Sequence, residues 1–226
     1  MSYRILCYGD SNTWGYVPQW TDPGMYSVRY RSDERWTGIL AKLLGKGYEI
    51  IEEGLIGRTT IYTIPGEAHK NGLDYLLPCL LSHRPLDLIV VMLGGNDLHI
   101  PIQPSKDHLG DGMTRLIELI QATPKCGTNC KIPKIIIVAP TPICAAEGRK
   151  EVYPKYGCEI GGTLSLKFAD VYSHVAKEKG CEFLDASQYA HPDPADGVHW
   201  SSASHENFAK GLAEKITNMR QTTKSR

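Results

Sequence analysis

Short apolar runs alternate with amphipathic stretches along this chain, and the alternation predicts its secondary structure. Five short runs are predicted to be strands, and several of them are nearly all apolar, as is typical of strands buried on both faces of a sheet. They cover residues 4–8, 48–52, 86–93, 134–139 and 182–184. Between them, helical spacing of apolar residues predicts helices that include 36–44, 105–122, 164–179 and 202–219.

Strands that alternate with helices indicate an α/β protein with a mostly parallel sheet and helices on both of its faces. We therefore predict one three-layer α/β/α domain over residues 1–220, with a five-stranded sheet. Residues 221–226 contain no apolar side chain and are expected to fray. Two stretches rich in Pro, Gly and Tyr, 17–32 and 140–162, are predicted to be long ordered loops with a functional role.

Composition removes several classes of function. The 226 residues include 25 Lys plus Arg and 25 Asp plus Glu, so no cationic surplus favours nucleic acid or a membrane surface. No signal-peptide pattern or membrane-length apolar run occurs, and seven irregularly spaced cysteines indicate reduced thiols. A cytoplasmic protein is expected. Cys126 and Cys130 lack further ligands at zinc spacing and are interpreted as free thiols.

The segment after the first predicted strand is Gly9-Asp10-Ser11. Gly9 permits a tight exit from the strand, and Ser11 then faces the cleft where an open parallel sheet binds its ligands. A serine hydroxyl becomes a nucleophile when a base takes its proton. Taken alone, the tripeptide fits a helix N-cap or a phosphate-binding loop better.

The next two strands are followed by possible stabilisers of negative charge. Gly54 and Gly57 follow the second strand, and a glycine there lets a backbone N–H approach a ligand closely. Asn96 follows the third strand, and its amide is a neutral donor suited to a developing oxyanion. A plain turn glycine and an Asx-turn explain each feature alone.

Asp196 and His199 stand three residues apart, just before the last predicted helix. In a turn, this spacing lets the carboxylate bind one imidazole nitrogen while the other nitrogen points outward as a base. An isolated Asp-x-x-His is more commonly a capping carboxylate beside a surface histidine.

Together the four segments supply a nucleophile, oxyanion donors, a base and its carboxylate at one end of the sheet. The assembly favours a serine hydrolase that forms an acyl-enzyme. A nucleotide- or flavin-binding module of flavodoxin-like architecture accounts for the first loop but leaves Asn96 and His199 without roles. A catalytically inactive binding protein does not predict a complete set of parts.

These segments resemble the blocks of the SGNH (GDSL-type) hydrolase family, which has a flavodoxin-like fold. The resemblance to its arylesterase and acyltransferase (perhydrolase) branch rests on Trp14-Gly15, Arg35-Trp36-Thr37-Gly38, Glu52-Glu53-Gly54-Leu55, Arg58-Thr59-Thr60, Asn71-Gly72 and Pro85-Leu86-Asp87-Leu88. It implies that Ser11 is the nucleophile, and that His199 and Asp196 complete a triad. The backbones of Ser11 and Gly57 and the side chain of Asn96 are then the oxyanion donors, with Gly54 the alternative to Gly57.

The resemblance also implies a small ester substrate, no metal or organic cofactor, and a homo-oligomer. Hydrolysis of acetylated carbohydrates, thioester cleavage and acyl transfer remain open. Trp14, Tyr16, Leu55 and Ile56 are predicted to line the substrate pocket, with Trp20 a further aromatic candidate.

Two residues depart from the family pattern. Asn12 replaces the leucine of GDSL and is predicted to lie outside the chemistry, and Tyr16 stands where the branch has a second tryptophan. Asp10 and Asp97 are predicted to be structural. The histidines outside the motifs are interpreted as surface or loop residues: His69, His83, His99, His191 and His205.

Overall fold

A sheet of five parallel strands forms the centre of the protein, in the order β2–β1–β3–β4–β5. The computed structural model describes residues 2–19 and 28–224. The strands are β1 (Tyr3–Gly9), β2 (Tyr48–Gly54), β3 (Leu88–Met92), β4 (Lys134–Ala139) and β5 (Glu182–Asp185). The predicted α/β class and the five strands are confirmed.

Helices cover both faces of the sheet and make three layers. They are α1 (Ser11–Trp14), α2 (Trp36–Leu44), α3 (Gly72–His83), α4 (Lys106–Gln121), α5 (Glu159–Ser165), α6 (Phe168–Lys179) and α7 (Ser202–Lys224). Residues alternate along β1, so Ile5 and Cys7 pack in the cluster that includes α2 and α7. Leu6 and Tyr8 point the other way, into the cluster that includes α3, α4 and α6.

The helices differ from the prediction in several places. Most of the predicted helix 164–179 is α6, but its first two residues belong to α5, which begins at Glu159 inside the predicted loop 140–162. α3 is not among the predicted helices. Pro78 lies inside α3, where the residue type argues against a helix. α7 continues to Lys224, into the segment expected to fray, while residues 225–226 lie outside the described part of the chain.

The topology places a crevice between β1 and β3. The chain leaves β1 for β2 on one side and returns to β3 on the other, and ligands in such sheets bind beyond the carboxyl ends at this switch point. Gly9, the last residue of β1, is paired with Met92, the last residue of β3. The segments that follow these two strands therefore emerge side by side.

The thiols and the helices agree with two expectations from composition. All seven cysteines are unpaired, with Cys126 buried and Cys130 exposed. Within residues 2–19 and 28–224, no helix has both the length and the apolar character needed to cross a bilayer.

Candidate active site

Residues 9–15, here named the Ser11 turn, run from the end of β1 through α1. The turn is so tight that position 9 has no room for a side chain. A Cβ on Gly9 would lie 2.0 Å from Thr13 Oγ1, so the tight exit requires glycine. Asp10 is the N-cap of α1, and its Oδ1 accepts a hydrogen bond from the Asn12 N–H at 3.0 Å. Ser11 is the first residue of α1 and is buried.

Residues 193–200, the His199 turn, bring a carboxylate and an imidazole to Ser11. Asp196 Oδ1 accepts from the backbone N–H groups of Val198 and His199, each at 2.9 Å. Its Oδ2 lies 2.5 Å from His199 Nδ1, and His199 Nε2 lies 2.8 Å from Ser11 Oγ. If Nδ1 carries the proton, its N–H donates a hydrogen bond to the carboxylate, and Nε2 is free to accept a hydrogen bond from the serine hydroxyl.

The carboxylate of Asp196 is fully buried yet favours its charged form. Burial opposes ionisation of Asp196. Three interactions outweigh that effect: the hydrogen bond from the His199 side chain, the electrostatic attraction of that side chain, and the hydrogen bonds from the two backbone N–H groups. They hold the pKa of Asp196 below its ordinary value. A permanent carboxylate at this position stabilises an imidazolium when His199 takes a proton.

Asn96 and Gly57 follow β3 and β2, the two strands that flank β1, from which Ser11 emerges. Asn96 is in a short helical turn, Gly95–Leu98, and its Nδ2 donates to the backbone oxygen of Arg58 at 3.1 Å. This bond uses one of the two amide hydrogens and leaves the other available. Gly57 lies in the turn beyond β2 at φ 77°, whereas Gly54 is still in the strand, paired with Gly9. Within the described residues, the N–H groups of Ser11 and Gly57 donate to no acceptor.

Two further buried carboxyls support these segments. Asp97 accepts from the Thr60 N–H at 2.8 Å and from its hydroxyl at 2.6 Å, which anchors the loop after β2. Burial and, to a smaller extent, the nearby Asp10 raise the pKa of Asp97 to about 7 against these hydrogen bonds. Burial likewise raises the pKa of Asp10 to about 6 against its bond from Asn12. Both have the structural contacts expected of them.

The predicted pocket residues have different surroundings. Tyr16 stacks on the imidazole of His199, with ring centroids 4.2 Å apart and planes at 29°. Trp14 is partly exposed beneath the guanidinium of Arg29, 5.3 Å from its ring centroid. Leu55 and Ile56 are half-buried in the turn after β2. Trp20 lies outside the described residues, as do positions 20–27 of the predicted loop 17–32.

One prediction from the sequence is wrong. His205 is not a surface residue: it is fully buried in α7, where its Nδ1 accepts from the Trp36 N–H at 3.3 Å. Burial lowers its pKa to about 3, so it is a neutral core group. That Asn12 lies outside the chemistry stays a prediction, but its side chain bonds to the backbone on both sides of His199.

The loop at 140–162 is attached to the His199 turn by backbone hydrogen bonds. Cys144 N–H donates to Gly197, Glu147 N–H to Pro194 and Arg149 N–H to Ala195. Arg149 Nη1 also donates to the Tyr16 hydroxyl at 2.8 Å. The predicted long loop thus reaches the site, although no sequence pattern singled out Arg149.

One group of possible metal ligands occurs within residues 2–19 and 28–224. Ligand atoms of Glu53, Cys79 and His83 lie within 4.8 Å of one another. Glu53 Oε1 is already 2.7 Å from His83 Nε2, and burial raises the pKa of Cys79 to about 12, so the thiol holds its proton. We interpret this group as a hydrogen-bonded cluster that joins β2 to α3.

Comparison with known proteins decides the family. The model of the GDSL-like lipase/acylhydrolase family matches residues 7–206. The chain belongs to that family. Its predicted membership of the SGNH hydrolases is therefore confirmed, and the protein is a carboxylic ester hydrolase. No curated protein sequence matches the chain significantly.

Several solved structures are similar over nearly the whole chain. A carbohydrate acetylesterase from Sinorhizobium meliloti is 33% identical with a TM-score of 0.88, covering 96% of this chain and 100% of that one. An aryl esterase from M. smegmatis is 35% identical with a TM-score of 0.87, covering 96% and 99%. A protein described as a putative arylesterase from Agrobacterium tumefaciens is 33% identical with a TM-score of 0.83, covering 96% and 99%. These likenesses confirm the predicted fold and the resemblance to arylesterases.

Proposed function

We propose that this enzyme is a serine esterase that cleaves small carboxylic esters through an acyl-Ser11 intermediate. The observation that carries the proposal is the continuous contact from Asp196 Oδ2 to His199 Nδ1 and from His199 Nε2 to Ser11 Oγ, at 2.5 and 2.8 Å. Both distances are within hydrogen-bond reach, as a nucleophile, its base and an orienting carboxylate require.

In the first step His199 takes the Ser11 proton while Oγ attacks the ester carbonyl, and Asp196 stabilises the imidazolium. The carbonyl oxygen becomes an oxyanion beside the N–H groups of Ser11 and Gly57 and the free amide hydrogen of Asn96. Gly57 is favoured over Gly54 because it lies in the turn beyond the strand. Each donor of this kind contributes about 3 kcal/mol to lowering the barrier.

Collapse of the tetrahedral intermediate breaks the carbon–oxygen bond to the alcohol, and His199 donates its proton to that oxygen. The acyl group remains on Ser11 until His199 deprotonates a water that attacks the acyl carbon. The bond from that carbon to Ser11 Oγ then breaks, His199 returns the proton to Oγ, and the carboxylic acid leaves. An alcohol or a peroxide that replaces this water receives the acyl group, which is the basis for a transferase activity. No step uses a metal or an organic cofactor.

The test is hydrolysis of phenyl acetate by wild type and Ser11→Ala, with intact-protein mass spectrometry of the quenched wild-type reaction. We expect an acetylated wild-type protein and no turnover by Ser11→Ala. Turnover that survives in Ser11→Ala would contradict the proposal. Adding an alcohol then measures acyl transfer by the yield of the new ester.

Deacetylation of carbohydrates is the second candidate, because one structure of similar fold and 33% identity is of a carbohydrate acetylesterase. Comparing kcat/KM for phenyl acetate, an acetylated sugar and an acyl-thioester separates the candidates. Rapid turnover of the aryl ester with no turnover of the acetylated sugar excludes the second candidate.

We further propose that the chain forms a homo-oligomer. Light scattering measures the mass in solution, and a monomer mass would contradict this proposal.

A further inference from the structure

Asn12, which departs from the GDSL pattern, and Tyr16, which departs from the pattern of the arylesterase and acyltransferase branch, both contact the His199 turn. Asn12 follows Ser11 directly, where the pattern has leucine, and Tyr16 lies four residues further on. Neither residue lies near His199 in sequence, yet the side chain of each contacts the segment that carries it.

Asn12 holds the backbone of the histidine. Its Nδ2 donates to the oxygen of Val198 at 3.3 Å, and its Oδ1 accepts from the N–H of Trp200 at 3.1 Å. An amide side chain has one donor end and one acceptor end, so a single orientation satisfies both backbone groups. Leucine has neither end and would leave two buried backbone groups without a partner.

Tyr16 covers the face of the imidazole. Its N–H donates to the oxygen of Ser11 at 3.0 Å, so its backbone is tied to the nucleophile's turn. An imidazole that is held only at Nδ1 can rotate away from the serine. The stacked ring blocks this rotation on one face. An aromatic face also attracts the imidazolium that forms during the reaction.

Arg149 fixes the position of the tyrosine from the opposite side of the site. Its Nη1 donates to the Tyr16 hydroxyl at 2.8 Å, and its Nε lies 3.0 Å from Glu151 Oε1. Its own N–H donates to the oxygen of Ala195, within the His199 turn. The arginine therefore joins the long loop, the tyrosine ring and the base's turn.

We propose that Asn12 and Tyr16, with Arg149 acting through Tyr16, are positioning residues that hold His199 between Asp196 and Ser11. This inference rests on the proposed function, because it assigns the three residues to the base of that reaction. They do not touch the reacting atoms, so they act through the orientation of His199.

The readout is the dependence of kcat/KM on the leaving group. 4-Nitrophenolate leaves without a proton, whereas ethoxide requires one from His199. A misplaced imidazole therefore slows ethyl acetate more than 4-nitrophenyl acetate. Partial unfolding, or a changed pocket for the shared acetyl group, lowers both values by the same factor.

We expect Asn12→Leu and Tyr16→Leu each to lower kcat/KM for ethyl acetate by about tenfold or more, and for 4-nitrophenyl acetate by a smaller factor. Tyr16→Trp keeps a ring over His199 and is expected to restore most of the activity. If Asn12→Leu does not fold, Asn12→Ala removes the same two hydrogen bonds with a smaller, uncharged side chain. Equal losses on the two esters would overturn the proposal.

A double-mutant cycle tests the role of Arg149. Tyr16→Phe and Arg149→Met remove the two ends of one hydrogen bond, so each is expected to cost about threefold on ethyl acetate. The double variant is expected to be no slower than either single variant. Additive losses would show that Arg149 does not act through Tyr16. Lys150→Met, an exposed position next to Arg149, is the matched control and is expected to behave as wild type.

Fluorophosphonate labelling of wild type separates failure of this inference from failure of the proposed function. If wild type is labelled at Ser11 and the variants show no leaving-group effect, only the positioning role fails. If folded wild type is not labelled, the proposed function fails and the positioning role with it.

Discussion

The Ser11 turn and the His199 turn meet at the contact between Ser11 and His199 and at two hydrogen bonds of the Asn12 side chain, but their backbones are held in different ways. In the Ser11 turn, the N–H groups of Thr13 and Trp14 donate to the oxygen of Asp10, and the Asp10 side chain caps Asn12. These bonds join residues that are close in sequence and follow the central strand β1. The backbone of the nucleophile is therefore fixed by bonds within its own turn, and among the described residues only the two ends of the turn bond to distant backbone, at Leu55 and Tyr30.

The His199 turn combines local bonds with distant ones. Asp193 accepts from the N–H groups of Asp196 and Gly197, but the loop at 140–162, Asn12 and Tyr16 also hold the turn. The base is thus oriented by residues far away in the chain. A short motif can identify such a residue, whereas its geometry depends on the rest of the fold.

The largest expected effect comes from removing the negative charge of Asp196 while keeping the shape of the His199 turn. In Asp196→Asn the amide oxygen can still accept from the backbone of Val198 and His199, but the amide nitrogen cannot accept from His199 Nδ1. We expect kcat to fall on the order of 10⁴-fold with folding intact. Steady-state kinetics and circular dichroism check this, and a loss below about tenfold would contradict the role of Asp196.

A substitution outside both turns tests whether Asn96 stabilises the oxyanion that forms when Ser11 attacks the ester. Asn96→Ala removes the amide donor and leaves the contact between Ser11 and His199 in place. We expect kcat to fall by about 10²- to 10³-fold on phenyl acetate, with a small change in KM. An unchanged kcat would exclude Asn96 from the oxyanion site.

Replacing a glycine in the His199 turn tests how strongly the long loop holds it. Gly197 has φ 74°, and a Cβ there would lie 2.0 Å from the oxygen of Cys144. We expect Gly197→Ala to lower the free energy of unfolding by at least about 2 kcal/mol, measured by urea denaturation. The control is Gly180→Ala at φ 64°, where a Cβ meets nothing within 4 Å, so only backbone strain of about 1 kcal/mol is expected. Equal losses in the two variants would contradict the tight contact.

The smallest effect concerns the carboxyls beside the Ser11 turn. Folding raises the pKa of Asp97 from 3.8 to about 7, so the folded state binds more protons than the unfolded state in this interval. With respect to this group, stability is fully present below 3.8 and is lost as the pH rises to about 7. Asp97→Asn does not titrate, so its Tm should fall less than that of wild type between about pH 4 and pH 8. Identical falls in Tm would contradict the raised pKa.

The sequence predicts β1, β3 and β4 well because each is a short apolar run that the sheet buries on both faces, whereas the edge strands β2 and β5 carry charged residues and are only partly buried. It predicts the candidate triad because Ser11, Asp196 and His199 lie in short motifs at strand ends. The sequence does not predict α3, because that helix contains Pro78 and proline is unfavourable inside a helix. Packing of its apolar side chains against the core overrides that local preference.

The remaining failures have two causes. The surface interpretation of His205 overlooks a local pattern, because His205 lies three residues before the buried Phe208 and helical spacing places both on the same side of α7. The others concern tertiary contacts. The role of Asn12 depends on a backbone segment 186 residues further along the chain. Arg149 reaches Tyr16 across 133 positions, and no spacing rule connects such a pair.

The central claim is that His199 activates Ser11, and a fluorophosphonate probe tests it most directly. Wild type, Ser11→Ala and His199→Ala are treated with the probe, and peptide mass spectrometry locates the adduct. The account predicts an adduct on Ser11 in wild type, none in Ser11→Ala and much slower labelling in His199→Ala. Folded wild type without an adduct, or labelling in His199→Ala at the wild-type rate, would contradict it.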